Sequence, residues 1–221
     1  MGITKIDING NSYVGAFVLA SDQFTIIGND ITLNIEHIVK DTLKTNVARL
    51  SINGSNLVGI YSRSNSRSLL LPDLLYKDEL QRIKQELQDI NIAVINSELN
   101  ALGNNILSND KISLINPEFS KNDEKKIRDA LDTEIIRISI GGYNTVGANN
   151  VLTNKGMVVN NKATEEEIDE LKKIFGNVEQ STANLGSVHI GICVSANSNG
   201  LLTGSETTGY ELANMSNALG L

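Results

Sequence analysis

Cysteine, tryptophan, proline and histidine are nearly missing from this chain. Its 221 residues include one cysteine, two prolines, two histidines and no tryptophan. The lone Cys193 excludes an internal disulfide and any CxxC metal site. Pro72 and Pro117 cannot make a proline-rich linker, so nothing of that kind divides the chain. No run approaches ~18 apolar residues, which excludes a membrane-spanning helix on length. Met1 to Ile6 contains no apolar signal core, so a cytoplasmic location is expected. Positive charge is also scarce. Lys and Arg number 19 against 26 Asp and Glu, a formal charge of -7. Broad, charge-driven binding to DNA needs a basic surface, so this balance argues against it and favours a basic protein partner. No HExxH, P-loop or GxSxG spacing occurs, and no metal or cofactor is expected.

What the chain does have is a period. Val14-Gly15 recurs as Val58-Gly59, Leu102-Gly103, Val146-Gly147 and Ile190-Gly191, with successive glycines 44 positions apart. A second column, five residues upstream, reads Gly10, Gly54, Glu98, Gly142, Gly186. A third carries a small residue followed by Asp or Asn: Ser21-Asp22, Ser64-Asn65, Ser108-Asn109, Thr153-Asn154, Ala196-Asn197. Short side chains that bond their own backbone mark tight turns. An apolar run follows each turn and stops at a breaker such as Gly28 or Pro72, so each unit holds a hairpin, with the anchor glycine expected on its first strand. Helical spacing comes next, as in Leu80, Ile83 and Leu87, and a helix one is expected over about 34–44. Thr164 with Glu167 forms a capping box, and Ser120 with Asp123 a weaker one. A further strand, such as Ile136, Ile138 and Ile140, precedes each glycine pair.

Each repeat of ~44 residues therefore reads as three short strands plus one helix. HEAT arrays share the period but are all helix, and WD40 blades have no helix. An open solenoid needs atypical caps at its ends. Here the first and last repeats keep the same glycines, so the expectation is a closed, pseudo-fivefold α/β propeller of five blades, strands towards the axis and helices outside. It would be a single domain over 1–221, with repeats at about 1–45, 46–89, 90–133, 134–177 and 178–221.

Departures from the repeat are where symmetry stops explaining the sequence. The slot after the anchor glycine reads Ala16, Ile60, Asn104, Ala148, Ile192. An asparagine in that apolar column must find partners or destabilise the fold. It either lines a wet channel or meets a partner at the mouth of the ring. Cys193, read as lying on an apolar strand, is a buried small hydrophobe in its simplest reading. His189 is then ~13 Å away along the strand and His37 a solvated helix residue, so neither pairs with the thiol.

Leu99-Asn100-Ala101-Leu102-Gly103-Asn104 resembles the signature hexapeptide of the translation initiation factor six family, the ribosome anti-association factors of archaea and eukaryotes. Leu69-Leu70-Leu71-Pro72, Thr145-Val146-Gly147 with Thr153-Asn154-Lys155-Gly156, and Thr207-Thr208-Gly209-Tyr210-Glu211-Leu212 are similar to that family in the same register. The compact end at Leu221 resembles the archaeal form. The resemblance implies a pentein fold. It also implies binding to the large (50S) ribosomal subunit, chiefly to a basic ribosomal protein near the sarcin–ricin loop with limited rRNA contact. Joining of the small (30S) subunit would be blocked sterically, without catalysis. It places the contact at Asn104 and Gly103, with Asn65, Arg63 and Arg67 at the turn of repeat two. The competing reading is a pentein-fold enzyme acting on guanidines, a deiminase or amidinotransferase, which needs a cysteine nucleophile, a histidine and carboxylates converging on the axis.

Overall fold

The computed structural model describes residues 2–221. The chain opens with β1 (Gly2–Lys5) and then runs through five similar units. Unit one holds α1 (Val14–Phe17), β2 (Val18–Ala20), β3 (Phe24–Gly28), α2 (Leu33–Leu43) and β4 (Asn46–Leu50). Unit two holds α3 (Val58–Tyr61), β5 (Arg63–Ser64), β6 (Ser68–Pro72), α4 (Lys77–Glu86) and β7 (Asn91–Ile95). Unit three holds α5 (Leu102–Asn105), β8 (Ile106–Ser108), β9 (Ile112–Ile115), α6 (Lys121–Leu131) and β10 (Glu134–Arg137). Unit four holds α7 (Val146–Asn149), β11 (Val151–Leu152), β12 (Met157–Asn160), α8 (Glu165–Phe175) and β13 (Val178–Ser181). Unit five ends with α9 (Ile190–Cys193), β14 (Val194–Ala196), β15 (Gly200–Thr203) and α10 (Gly209–Leu219).

Each unit makes a three-stranded sheet in which an antiparallel hairpin takes a parallel third strand across the helix, as in β2-β3-β4. Unit five lacks a third strand of its own. β1 supplies it, pairing parallel to β15 in the register Gly2 to Gly200 and Lys5 to Thr203. The N-terminus thereby closes the ring. The strand upstream of each glycine pair belongs to the preceding hairpin, so the blades are staggered by one strand from units counted at 46, 90, 134 and 178.

Alternation along each central strand explains the packing. Successive side chains point to opposite faces. Leu69 and Leu71 of β6 therefore join Leu19, Phe24 and Ile26 of unit one, with Ile83 of α4 between the sheets. Leu70 instead joins Ile106, Ile115 and Ile127 of unit three. The same division recurs at every joint, giving five equivalent cores shared between neighbouring blades. The long helices thus lie between blades at the periphery. Thr32, Ser120, Thr164 and Thr208 cap four of them.

The anchor glycines are not on strands. Each is the second residue of a four-residue helical turn, α1, α3, α5, α7 or α9, that precedes the inner strand. The reason is close approach. A Cβ on Gly59 would lie 1.9 Å from the Gly15 carbonyl oxygen, and one on Gly103 would lie 1.9 Å from Gly59 O. Gly147 stands in the same relation to Gly103, Gly191 to Gly147, and Gly15 to Gly191. The five turns therefore form a closed cycle of backbone contacts. The upstream glycine column has a different cause. Asn9-Gly10, Asn53-Gly54 and Gly141-Gly142 all have positive φ, and each pair spans a two-residue bridge such as Ile8 to Asn11. Glu98 breaks this pattern, and no such bridge forms in its loop.

Candidate functional site

The inner strands β2, β5, β8, β11 and β14 surround the axis, each touching the next. The helical turns lie at one end of these strands and the hairpin tips at the other. Between them is an axial cavity of about 40 Å³, and at the hairpin tips a second of about 20 Å³.

The hairpin tips are tied by their asparagines. Asn65 Oδ1 accepts from Arg67 N and Ser68 N, while its Nδ2 donates to Leu131 O. Asn197 does the same for the joint between units five and one, donating to Ser21 O and Leu43 O. Asp110 accepts from Ser66 N and Oγ, and Asp22 from Ser198 N and Oγ, so these carboxylates bridge neighbouring tips.

The helical-turn end is held by carboxylates of a different kind. Glu79 accepts from Asn53 N, Gly54 N, Tyr76 N and Ser51 Oγ. Burial raises its pKa, but these donors together outweigh burial and hold it below the usual carboxylate value. Glu211 is governed by the same balance, with Thr208, Thr182 and Gly186 as donors. The loops framing the helical turns carry Asp7, Asp30, Asp73, Glu98, Glu118 and Glu206 against Lys162 and His189. The hairpin-tip loops are balanced, with Asp22, Asp89, Asp110 and Asp132 against Lys44, Arg67, Lys111 and Lys155. Among the loops, the acidic excess therefore lies at the helical-turn end, where Arg49 and Arg137 also donate to loop carbonyls.

The residues singled out in the sequence separate on this frame. Asn104 sits on α5 at the acidic end, half-buried, and its side-chain amide makes no hydrogen bond among the described residues. Gly103 is buried, its carbonyl pressed against Gly147. Asn65 is 3% exposed and occupied with its own turn. Arg67 is exposed, but at the hairpin tips, where it donates to Asp110 O and Asp132 O. Arg63 points inward. Its guanidinium donates to Gly103 O at 2.5 Å and lines the axial cavity, and the side chain is half-buried. The signal for this was present but weak. The fourth residue after each ring glycine reads Leu19, Arg63, Leu107, Val151, Ser195, and Arg63 is the charged one.

Cys193 is also relocated, from a strand to the last residue of α9, where its amide donates to His189 O at 3.2 Å. Its side chain is fully buried in the core between units four and five, and burial pushes the thiol pKa up to about 11. His189 is exposed on the end face, with Nδ1 3.0 Å from Asn149 Nδ2, and His37 is exposed on α2. Thiol and imidazole thus face different environments. No group of three or more His, Cys, Asp or Glu able to hold a metal occurs among the described residues. No helix among them is long and apolar enough to cross a membrane.

Five α/β blades closed around a narrow axis define a propeller of the pentein type. The model described as the eIF-6 family matches residues 3–218, and the chain belongs to that family. Translation initiation factor 6 of Thermococcus onnurineus is 35% identical over 225 residues, covering 100% of this chain and 99% of the relative. The proteins of that name from Picrophilus torridus and Methanocaldococcus jannaschii are each 37% identical, over 218 and 219 residues. They cover 98% and 96% of this chain, and 99% and 96% of their own lengths. Among solved structures, an N-terminal domain of ArgZ with a covalently bound reaction intermediate superposes with a TM-score of 0.50 at 14% identity. The match covers 76% of this chain and 67% of that one, a likeness of fold alone. The family makes this chain a translation initiation factor with a ribosome-related partner.

Proposed function

We propose that this chain binds the large ribosomal subunit through the helical-turn end of its ring and sterically prevents the small subunit from joining. The observation that carries this is Asn104. It is a polar side chain in a column of Ala and Ile, half-buried at the acidic end and without an internal hydrogen-bond partner among the described residues. An amide held in this way is free to bond a partner at little conformational cost. The surrounding carboxylates favour a basic protein and repel phosphate, which supports a ribosomal protein near the sarcin–ricin loop as the chief contact, with limited rRNA contact. Gly103 contributes by fixing the turn that presents Asn104. Arg67, at the opposite end, takes no part in this face. The five blades act as one rigid domain, because each core is shared by two blades. Binding of ribosomal subunits also sets the cytoplasm as the place of action.

A guanidine-modifying activity finds no support, since the buried Cys193 and the exposed His189 do not converge on the axis.

Asn104→Ser and Asn104→Asp test the proposal. A polar interface contact of about 1–2 kcal/mol predicts affinity for purified large subunits lower by roughly tenfold, with thermal melting unchanged. Co-sedimentation reads the affinity, and light scattering of mixed subunits reads the block to joining. Unchanged values in both assays would remove Asn104 from the contact.

A further inference from the structure

Arg63 occupies an axial position that the other units fill with Leu19, Leu107, Val151 and Ser195. Arg63 is half-buried with its Nε enclosed, and it lines the cavity of about 40 Å³. A guanidinium carries five N–H donors. One terminal nitrogen donates to Gly103 O. Nε is buried without an acceptor among the described residues. No carboxylate lines this cavity and none pairs with Arg63 among the described residues. Burial lowers the Arg63 pKa to about 10, so the group remains cationic at neutral pH.

A partly desolvated guanidinium without a counter-charge is stabilised by any anion that can reach its free donors. The cavity has the means. Its volume exceeds the roughly 10–15 Å³ that admits one water. It is walled by glycines and short aliphatic side chains that exclude a large ligand. We propose that the axial cavity binds one monovalent inorganic anion of halide size, held by the free terminal N–H donors of the Arg63 guanidinium. The smaller cavity at the hairpin tips shares Ser64, Ser108 and Ala20 with it, giving a polar approach from the balanced end of the axis and away from the acidic end.

Two measurements on the intact chain test this. Crystals grown in bromide should show an anomalous peak in the axial cavity within hydrogen-bond reach of Arg63. The melting temperature should rise as chloride replaces gluconate at constant ionic strength, then level off, as linkage to one saturable site requires. Arg63→Met should lose the chloride-specific rise. A cavity without a bromide peak would overturn the site, and so would an equal chloride-specific rise in Arg63→Met. The bromide map is decisive even where Arg63→Met fails to fold.

Discussion

The ring of glycine contacts makes a sharp prediction at Gly59. In Gly59→Ala the added Cβ would stand 1.9 Å from Gly15 O and 3.1 Å from Gly15 C, both backbone atoms of the neighbouring turn. A relaxed carbon-to-oxygen approach is about 3.3 Å, so α3 and α1 must part by more than ~1 Å. Overpacking against side chains costs about 1–3 kcal/mol, because side chains can rotate away. Backbone in a closed cycle cannot, and a displacement at one joint is passed to the other joints. The upper end, about 3 kcal/mol, is the expected cost, reduced by at most ~1 kcal/mol from the better helix propensity of Ala. With a denaturant slope of about 2 kcal/mol/M, the urea midpoint should fall by about 1 M. Gly209→Ala is the control. Gly209 opens α10 and has no positive φ, and an added Cβ there would meet nothing within 4 Å, so its midpoint should hold or rise. Equal midpoints for Gly59→Ala and the unaltered chain would refute the closed-contact account.

Two further outcomes follow from the titrating groups. Glu79 and Glu211 ionise at lower pH in the folded chain than in the unfolded one, so their stabilisation is fully present above the unfolded value near ~4.3 and is lost as pH falls through the folded value. The urea midpoint should therefore drop below about pH 4.3, and Glu79→Gln with Glu211→Gln should flatten that drop while costing about 2 kcal/mol at pH 7; an unaltered acid limb contradicts the assignment. Cys193, with its thiol pushed up to about 11 by burial, should react with a disulfide reagent at pH 8 only as the chain unfolds, and rapid labelling of folded protein would refute its placement between blades.

The propeller was legible because a period of 44 with unaltered end repeats leaves few alternatives to a ring. The turns at Asn65 and Asn197 were legible because short polar side chains advertise the backbone bonds they make. The helical turns were not. Four residues such as Val58–Tyr61 are too few to display a 3.6 period, and Val-Gly-Ile beside a strand reads as more strand. Their meaning is carried by contacts between glycines 44 residues apart, which no local pattern encodes. The inward course of Arg63 was hidden for a related reason. A basic residue near a tight turn normally faces water. Only its alignment with Leu19, Leu107, Val151 and Ser195 indicates an inward direction.

The departures from symmetry converge on one joint. Arg63 belongs to blade two, yet its hydrogen bond ends on the carbonyl of Gly103 in blade three, one residue before Asn104. Glu98, which replaces the turn glycine found in the other units, lies in the loop leading to the same α5. Five equivalent joints would suffice to close the ring, so closure alone does not account for a joint that differs on the axis, in its loop and on its end face. A half-buried amide recognises a partner well only if its backbone is fixed before contact. Here the fixing element is a charge-assisted bond from the hub, and a guanidinium in that position needs an anionic or polar companion within the axis. One hydrogen bond thus joins the Arg63 guanidinium at the axis to the turn that carries Asn104 on the end face.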